Sequence, residues 1–497
     1  MWPQIRRQGS RSARTAPHRQ YAPVPPTATD DAITTTAPSR PETATRWSGL
    51  FEGEPVHCQR RLGHFLAIFG HLALMVAVFK VFRVEGPAFF TLSVFGLAAL
   101  PIHYFLPFRW KKPAFVALSI SAMAWIFDPT TTLTALGVAT VLIGACHLPV
   151  AWVWRAGIVA AVAALCAAAR PGTLIPALPA HVWPVVATMF MFRMVIYLYE
   201  LKHAKKREPL IDTLSYFFLL PNYAFMHFPV VDYRTFQRGY FARDVHETMR
   251  SGLQMMFRGT THLLLYRLVY HELQITPEEV DGPVALVGYL FCNYLLYLRV
   301  SGQFHVACGM LHLFGFQLPE THRHFLLASG FTDYWRRINI YWKDFMVRVV
   351  FNPVVFRLKR WPQPAALAVA TAVVFFVTWA LHAYQSYWLR GSWGFSVPDA
   401  LFWGVLGLFV MVNVQLDARR SATRRPKAAA GGFWPRMTLW AKTAGTLATI
   451  TVLWALWSSP SVSAWWSMLV RGMTGSWQVP AWAGSLAPVA EVVGLFA

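Results

Sequence analysis

From residue 62 to residue 457 the chain repeats one pattern, an apolar block of about 20 residues followed by a short polar interruption. A block of that length spans the hydrocarbon of a bilayer as a helix, which satisfies every backbone N–H and C=O within the segment. The alternating strands of an outer-membrane barrel are largely missing. The pattern predicts an all-α, polytopic integral membrane protein of about 10–12 tilted and partly broken helices. Composition agrees, with 55% of residues hydrophobic and 14% charged, the latter about half the share of a soluble domain.

The net charge of +22 would point to nucleic acid on a soluble protein. Here the basic residues form short clusters between apolar runs, the arrangement of the positive-inside rule and of attraction to anionic lipid headgroups. Nucleic-acid binding is set aside on that pattern. The five cysteines, Cys58, Cys146, Cys166, Cys292 and Cys308, form no CxxC pair. They read as small buried residues rather than as a disulfide framework or a zinc site.

Residues 1–47 are rich in Pro, Thr, Ala and Arg and read as a disordered, basic cytoplasmic tail. Residues 48–200 read as N-terminal spans at about 62–82, 87–106, 113–127, 131–150, 155–169 and 180–199. The third and fifth are short, and cross if their ends extend or the bilayer thins. Arg109, Lys111, Lys112, Arg155 and the run from Lys202 to Arg207 all fall inside if the N-terminus is cytoplasmic. Residues 201–427 read as a core with broken and interfacial helices. Pro221 and Pro229 interrupt one apolar stretch, and a basic, amphipathic segment follows at 234–260. An apolar stretch at 283–316 and spans at about 365–388 and 399–416 complete it. Residues 428–497 hold a span at about 437–457 and a Trp-rich tail that is interfacial or a last span.

One polar stretch stands out, "DYWRRINIYWKDFMVRVVFNP", residues 333–353. Trp335, Ile338, Trp342, Phe345 and Val349 are spaced as one helical stripe. Asp333 to Arg337 and Asp344 to Arg348 are i,i+4 pairs, and Asn339 and Lys343 share a face. A charge at the bilayer centre costs about 2.5–3.5 kcal/mol. The stretch is therefore expected along the interface or beside a watery cavity. On periodicity alone, an interfacial anchor without chemistry is the favoured reading.

Farther on, "TWALHAYQ" places His382 inside an apolar span. An ionisable residue there is a functional hypothesis by default, and histidine is the commonest general base. The bland alternative is a hydrogen bond to a helix carbonyl. His305 and His312 are spaced for one helix face, a weak metal signal without a carboxylate or thiol. His322 and His324 flank Arg323 in what reads as a solvated turn, and His227 and His262 have no evident companion.

In this order, "GMLHLFGFQLPE", "DYWRRINIYWKDF", "NP" and "TWALHAYQ", preceded by "MFMFRMVIYLYELKH" and "FFLLPNYAFMHFPVVDYRTF", the chain resembles the membrane-bound O-acyltransferase family. It looks most like the branch with alginate O-acetyltransferases and the D-alanyl transfer proteins of teichoic acid, over roughly residues 185–420. The branch usually has histidine where Asn339 stands, whereas the family's sterol and diacylglycerol acyltransferases have asparagine. The resemblance implies helices ringed about a central tunnel, His382 as catalytic histidine and Asn339 as a second polar site residue. It also implies a bacterial inner membrane.

The implied reaction moves a short acyl group, acetyl or similar, from a cytoplasmic thioester to a hydroxyl of a glycan or other exported molecule. The donor is acyl-CoA or an acyl carrier, and no bound cofactor or metal is needed. His382 acts as base, while Asn339 does not titrate and serves as a hydrogen-bonding residue. Arg336, Arg337, Lys343 and Arg348 are candidate donor-binding cations, with lipid headgroups an equal claim on them. No GxSxG nucleophile motif occurs. The alternatives are a lipid or protein acyltransferase of the same family and, from another class, a transporter using His382 as a proton relay. Whether a periplasmic partner protein completes the reaction stays open at this stage.

Overall fold

The computed structural model describes residues 60–171, 181–204, 208–225, 231–423 and 433–477, with Pro55 and Cys58 ahead of them. The expected tail at 1–47, His227, Pro229 and residues 478–497 lie outside the described residues. The helices in chain order are α1 Leu62–Val81, α2 Pro87–Phe105, α3 Phe108–Ile126, α4 Pro129–His147, α5 Trp152–Ala169 and α6 Val182–Leu201. Next come α7 Leu210–Phe217, α8 Tyr233–Arg238, α9 Val245–Leu268, α10 Pro283–Leu295, α11 Leu298–Leu313 and α12 Phe331–Arg337. The last are α13 Ile340–Met346, α14 Asn352–Arg357, α15 Gln363–Arg390, α16 Val397–Thr423, α17 Phe433–Ser458 and α18 Val462–Thr474. No strand occurs among the described residues beyond one isolated bridge, Tyr240 to Phe316.

Nine segments among the described residues are long and apolar enough to cross a membrane: α1, α2, α4, α5, α6, α10 with α11, α15, α16 and α17. The chain is an all-α polytopic membrane protein. The expected third span is a helix of 19 residues that begins at Phe108. Its first five residues include Arg109, Lys111 and Lys112, and α3 is not among the nine. At 13 residues α18 is too short to cross.

Local chemistry sets the helix ends. Proline opens α2, α4 and α10, where its missing N–H costs nothing. Asp128 caps α4 by accepting from Thr131 N–H at 2.9 Å. Lys111 is buried, and its Nζ donates to the carbonyls of His103 and Tyr104, both at 2.7 Å. It satisfies carbonyls of the last turn of α2.

The 234–260 segment is amphipathic, as its pattern predicts, but it is a core element. In α9 the buried residues include Met249, Gly252, Met256, Gly259 and Leu263. Those glycines meet α11 backbone to backbone. A Cβ on Gly259 would lie 2.7 Å from the Gly302 carbonyl oxygen, and one on Gly252 2.7 Å from that of Gly309. Small residues at facing positions let two helices approach this closely without an apolar driving force between them.

The 333–353 stretch is not one helix. The chain leaves α12 at Ile338, which is extended, and Asn339 is left-handed with φ 40°. Helix then resumes as α13, passes through a π-helical turn, Val347–Phe351, and ends as α14. The break has a tertiary cause. The loop between α11 and α12 inserts its backbone there, with Thr321 O accepting from Ile340 N–H at 2.7 Å and Arg323 N–H donating to Arg337 O at 3.0 Å. Asparagine tolerates the left-handed region better than most side chains.

Candidate functional site

Asn339 begins α13. Its Oδ1 accepts from the Trp342 N–H at 3.3 Å, so the side chain caps the helix that it starts. The cap fixes Trp342 at the first turn. The Trp342 indole stands edge-on to the His382 ring, centroids 5.0 Å apart. Its Nε1–H lies 3.4 Å from Thr378 Oγ1 on α15. The carbonyl of the same Thr378 takes the Nδ1–H of His382 at 2.8 Å. A carbonyl can only accept, so the proton sits on Nδ1 and Nε2 is the proton-accepting nitrogen of the neutral ring. The two residues singled out from sequence are thus joined through Trp342 and Thr378.

His382 is half-buried among indoles. Trp403 of α16 lies 4.6 Å from it and Trp457 of α17 6.4 Å, centroid to centroid. Trp457 is fixed in turn, donating to Asp399 Oδ1 at 2.5 Å and stacking on Phe402. The Nε1 of Trp403 is buried without a hydrogen-bond partner among the described residues.

On the other side of α13 a small open cleft of about 90 Å³ is lined by Asp232, Thr235, Tyr341, Asp344, Phe345 and Arg348, among others. Phe345 separates the cleft from the histidine through two ring contacts, 5.7 Å to Trp342 and then 5.0 Å from Trp342 to His382. α6 supports this wall with Phe192, 5.0 Å from the Trp342 ring.

The candidate cations have defined places. Arg337 pairs with Asp333 at 2.7 Å, the expected i,i+4 contact. Arg336, one residue before, is exposed. The expected Asp344 to Arg348 pair does not form. Arg348 instead bonds Glu200 at 2.6 Å and Asp232 at 3.1 Å, and Asp344 pairs with Lys343. The reason is the π turn that begins at Val347, which rotates Arg348 away from Asp344 toward the ends of α6 and α8. Burial pushes the Asp232 carboxyl up, but the Thr235 hydroxyl and amide together with Arg348 outweigh it and hold its pKa below the usual 3.8.

Sequence reasoning missed Glu200, Asp232, Trp403 and Arg193. Arg193 is 1% exposed in the middle of α6 and donates to Asn222 Oδ1 at 2.8 Å, tying the span to the broken segment after α7. A lone arginine inside "MFMFRMVI" was a signal in plain view. Glu200 and Asp232 gave none, because only the fold brings α6, α8 and the π turn together. Other histidines need correction. His322 is 2% exposed rather than solvated and neighbours His305, whose ring is in turn beside that of His262, so that His262 has a companion. Among the described residues no group of three His, Cys, Asp or Glu is placed to hold a metal ion, and Cys146, Cys166, Cys292 and Cys308 form no disulfide. No protein-family model and no curated protein matches the chain.

Proposed function

We propose that the chain is a membrane-bound O-acyltransferase that moves a short acyl group from a cytoplasmic thioester to a hydroxyl of an exported glycan, in a bacterial inner membrane. One observation supports it above the rest: His382 is held by Nδ1 in a half-buried indole cage, one aromatic wall away from a polar cleft. In this reading the thioester enters by the cleft, past Arg348 and the exposed Arg336. Nε2 of His382 takes the acceptor's hydroxyl proton as the oxygen attacks the thioester carbon. The carbon–sulfur bond breaks, and the proton returns from His382 to the leaving thiolate. The amide N–H of Asn339 and the indole N–H of Trp403 are donors for the developing oxyanion. No covalent enzyme intermediate is involved.

The test is to incubate membranes containing the chain with radiolabelled acetyl and palmitoyl thioesters and to fractionate the products. Label from the acetyl donor in hydroxylamine-labile glycan esters is the expected result. Label in lipid or protein from the palmitoyl donor would transfer the assignment to a lipid or protein acyltransferase. Absence of label from both, with proton-coupled uptake instead, would support a transporter.

A further inference from the structure

The loop that wedges open the break at Asn339 is itself held by a cluster of histidines, with His305 and His322 buried and His262 half-buried. His322 lies in that loop, and its Nε2 meets the Tyr297 hydroxyl at 2.8 Å and its Nδ1 the Thr321 hydroxyl at 3.2 Å. The His305 ring of α11 is 5.9 Å from the His322 ring, and the His262 ring of α9 is 5.4 Å from that of His305. His305 Nδ1 donates to the Ser301 carbonyl at 2.7 Å, and its Nε2 is buried without a partner. His262 Nδ1 lies 3.1 Å from the Ser301 hydroxyl. Phe304 and Phe325 close the sides.

The groups facing the cluster come from three elements. α9 contributes Arg258, which after burial and His305 opposes a charge on His262. The loop contributes Glu320, which is paired with Arg258 at 3.0 Å. The start of α11 contributes only the neutral Tyr297. No carboxylate bonds any of the three rings among the described residues. The cluster is therefore built for neutral rings.

We propose that His262, His305 and His322 form an acid-sensitive latch on the break at Asn339. Neutral rings pack and seat the loop, so that Thr321 and Arg323 keep their bonds to Ile340 and Arg337. Protonating two of them puts like charges side by side in a buried place, and His322 leaves with its loop. Burial, and then His305 and His262, hold the His322 pKa well below the ordinary 6.5. A histidine lowered in this way binds its proton more readily when the latch is open. The closed state is thus fully favoured above about pH 6.5 and loses ground as pH falls below that value. The inference does not depend on the acyltransferase reading.

The experiment is hydrogen–deuterium exchange on the full chain in lipid nanodiscs at pH 7.5 and pH 5.0, corrected for the intrinsic pH dependence of exchange. Peptides covering 319–342 are expected to lose protection by about 30-fold for each imidazole that charges only on opening, while peptides of α6 stay unchanged. In His262→Gln, and more so in His262→Gln/His305→Gln, the loss is expected to shrink. Equal protection of 319–342 at both pH values in the wild type would overturn the latch. So would a loss shared by α6, or one undiminished in His262→Gln, a substitution at a half-exposed position. If the double variant fails to fold at pH 7.5, the wild type and the single variant still decide.

Discussion

At Asn339 the backbone is left-handed, with φ 40°, and the side chain caps the helix that follows. The two demands separate by substitution. Asn339→Gly keeps the backbone and gives up the cap, at a few tenths of a kcal/mol. Asn339→Ala gives up the cap and forces a Cβ-bearing residue into the left-handed region, at about 2 kcal/mol together. Thermal unfolding in detergent should order them wild type, Gly, Ala. Turnover reports something else. If the Asn339 amide donates to the substrate oxyanion, both variants lose about 100-fold. A glycine variant with nearly full turnover would show that only the break matters, and that Asn339 acts by placing Trp342 against His382. The sequence singled out His382 as an ionisable residue in an apolar span, and Asn339 as part of a polar stretch carried by the family resemblance. It did not identify Trp342 as their link, because an indole in a stripe of apolar residues looks like any other core residue.

Among the elements, the spans were legible and the site helix was not. Spans are written locally in runs of apolar residues, and their observed bounds lie within a few residues of expectation. The 333–353 stretch has a continuous helical stripe, so periodicity predicts one helix through Asn339. The break is imposed from outside by the loop carrying Thr321 and His322, and the burial of that loop depends on α9 and α11. The same holds for Arg348, whose partners are set by the π turn and by the ends of α6 and α8. Glu200 is 6% exposed, and Arg348→Met leaves its carboxylate without this cation, a loss of about 2 kcal/mol. Adding Glu200→Gln should recover much of it in the double variant. If Arg348 also binds the thioester donor, the double variant regains stability while KM for the donor stays raised. A double variant with wild-type KM would assign Arg348 to the fold alone.

For the whole molecule, nine apolar segments among the described residues are accompanied by short helices that do not span, and the candidate site joins the two kinds, His382 on the spanning α15 and Trp342 on the short α13. The half-buried His382 lies eight residues before the end of α15 at Arg390, roughly 12 Å along the helix axis. The cleft lies across α13 from it. Under the proposed function the donor enters by this cleft and His382, beyond the aromatic wall, is the base. The measurement that bears most directly on this account compares purified wild-type chain with His382→Ala. Both are reconstituted with an acetyl thioester and the acceptor fraction that takes the label, with folding of the variant confirmed by size exclusion and thermal unfolding. The account predicts that hydroxylamine-labile ester falls by at least about 100-fold in the variant while its folding is unchanged. Ester formation at the wild-type rate in a folded His382→Ala chain would contradict it.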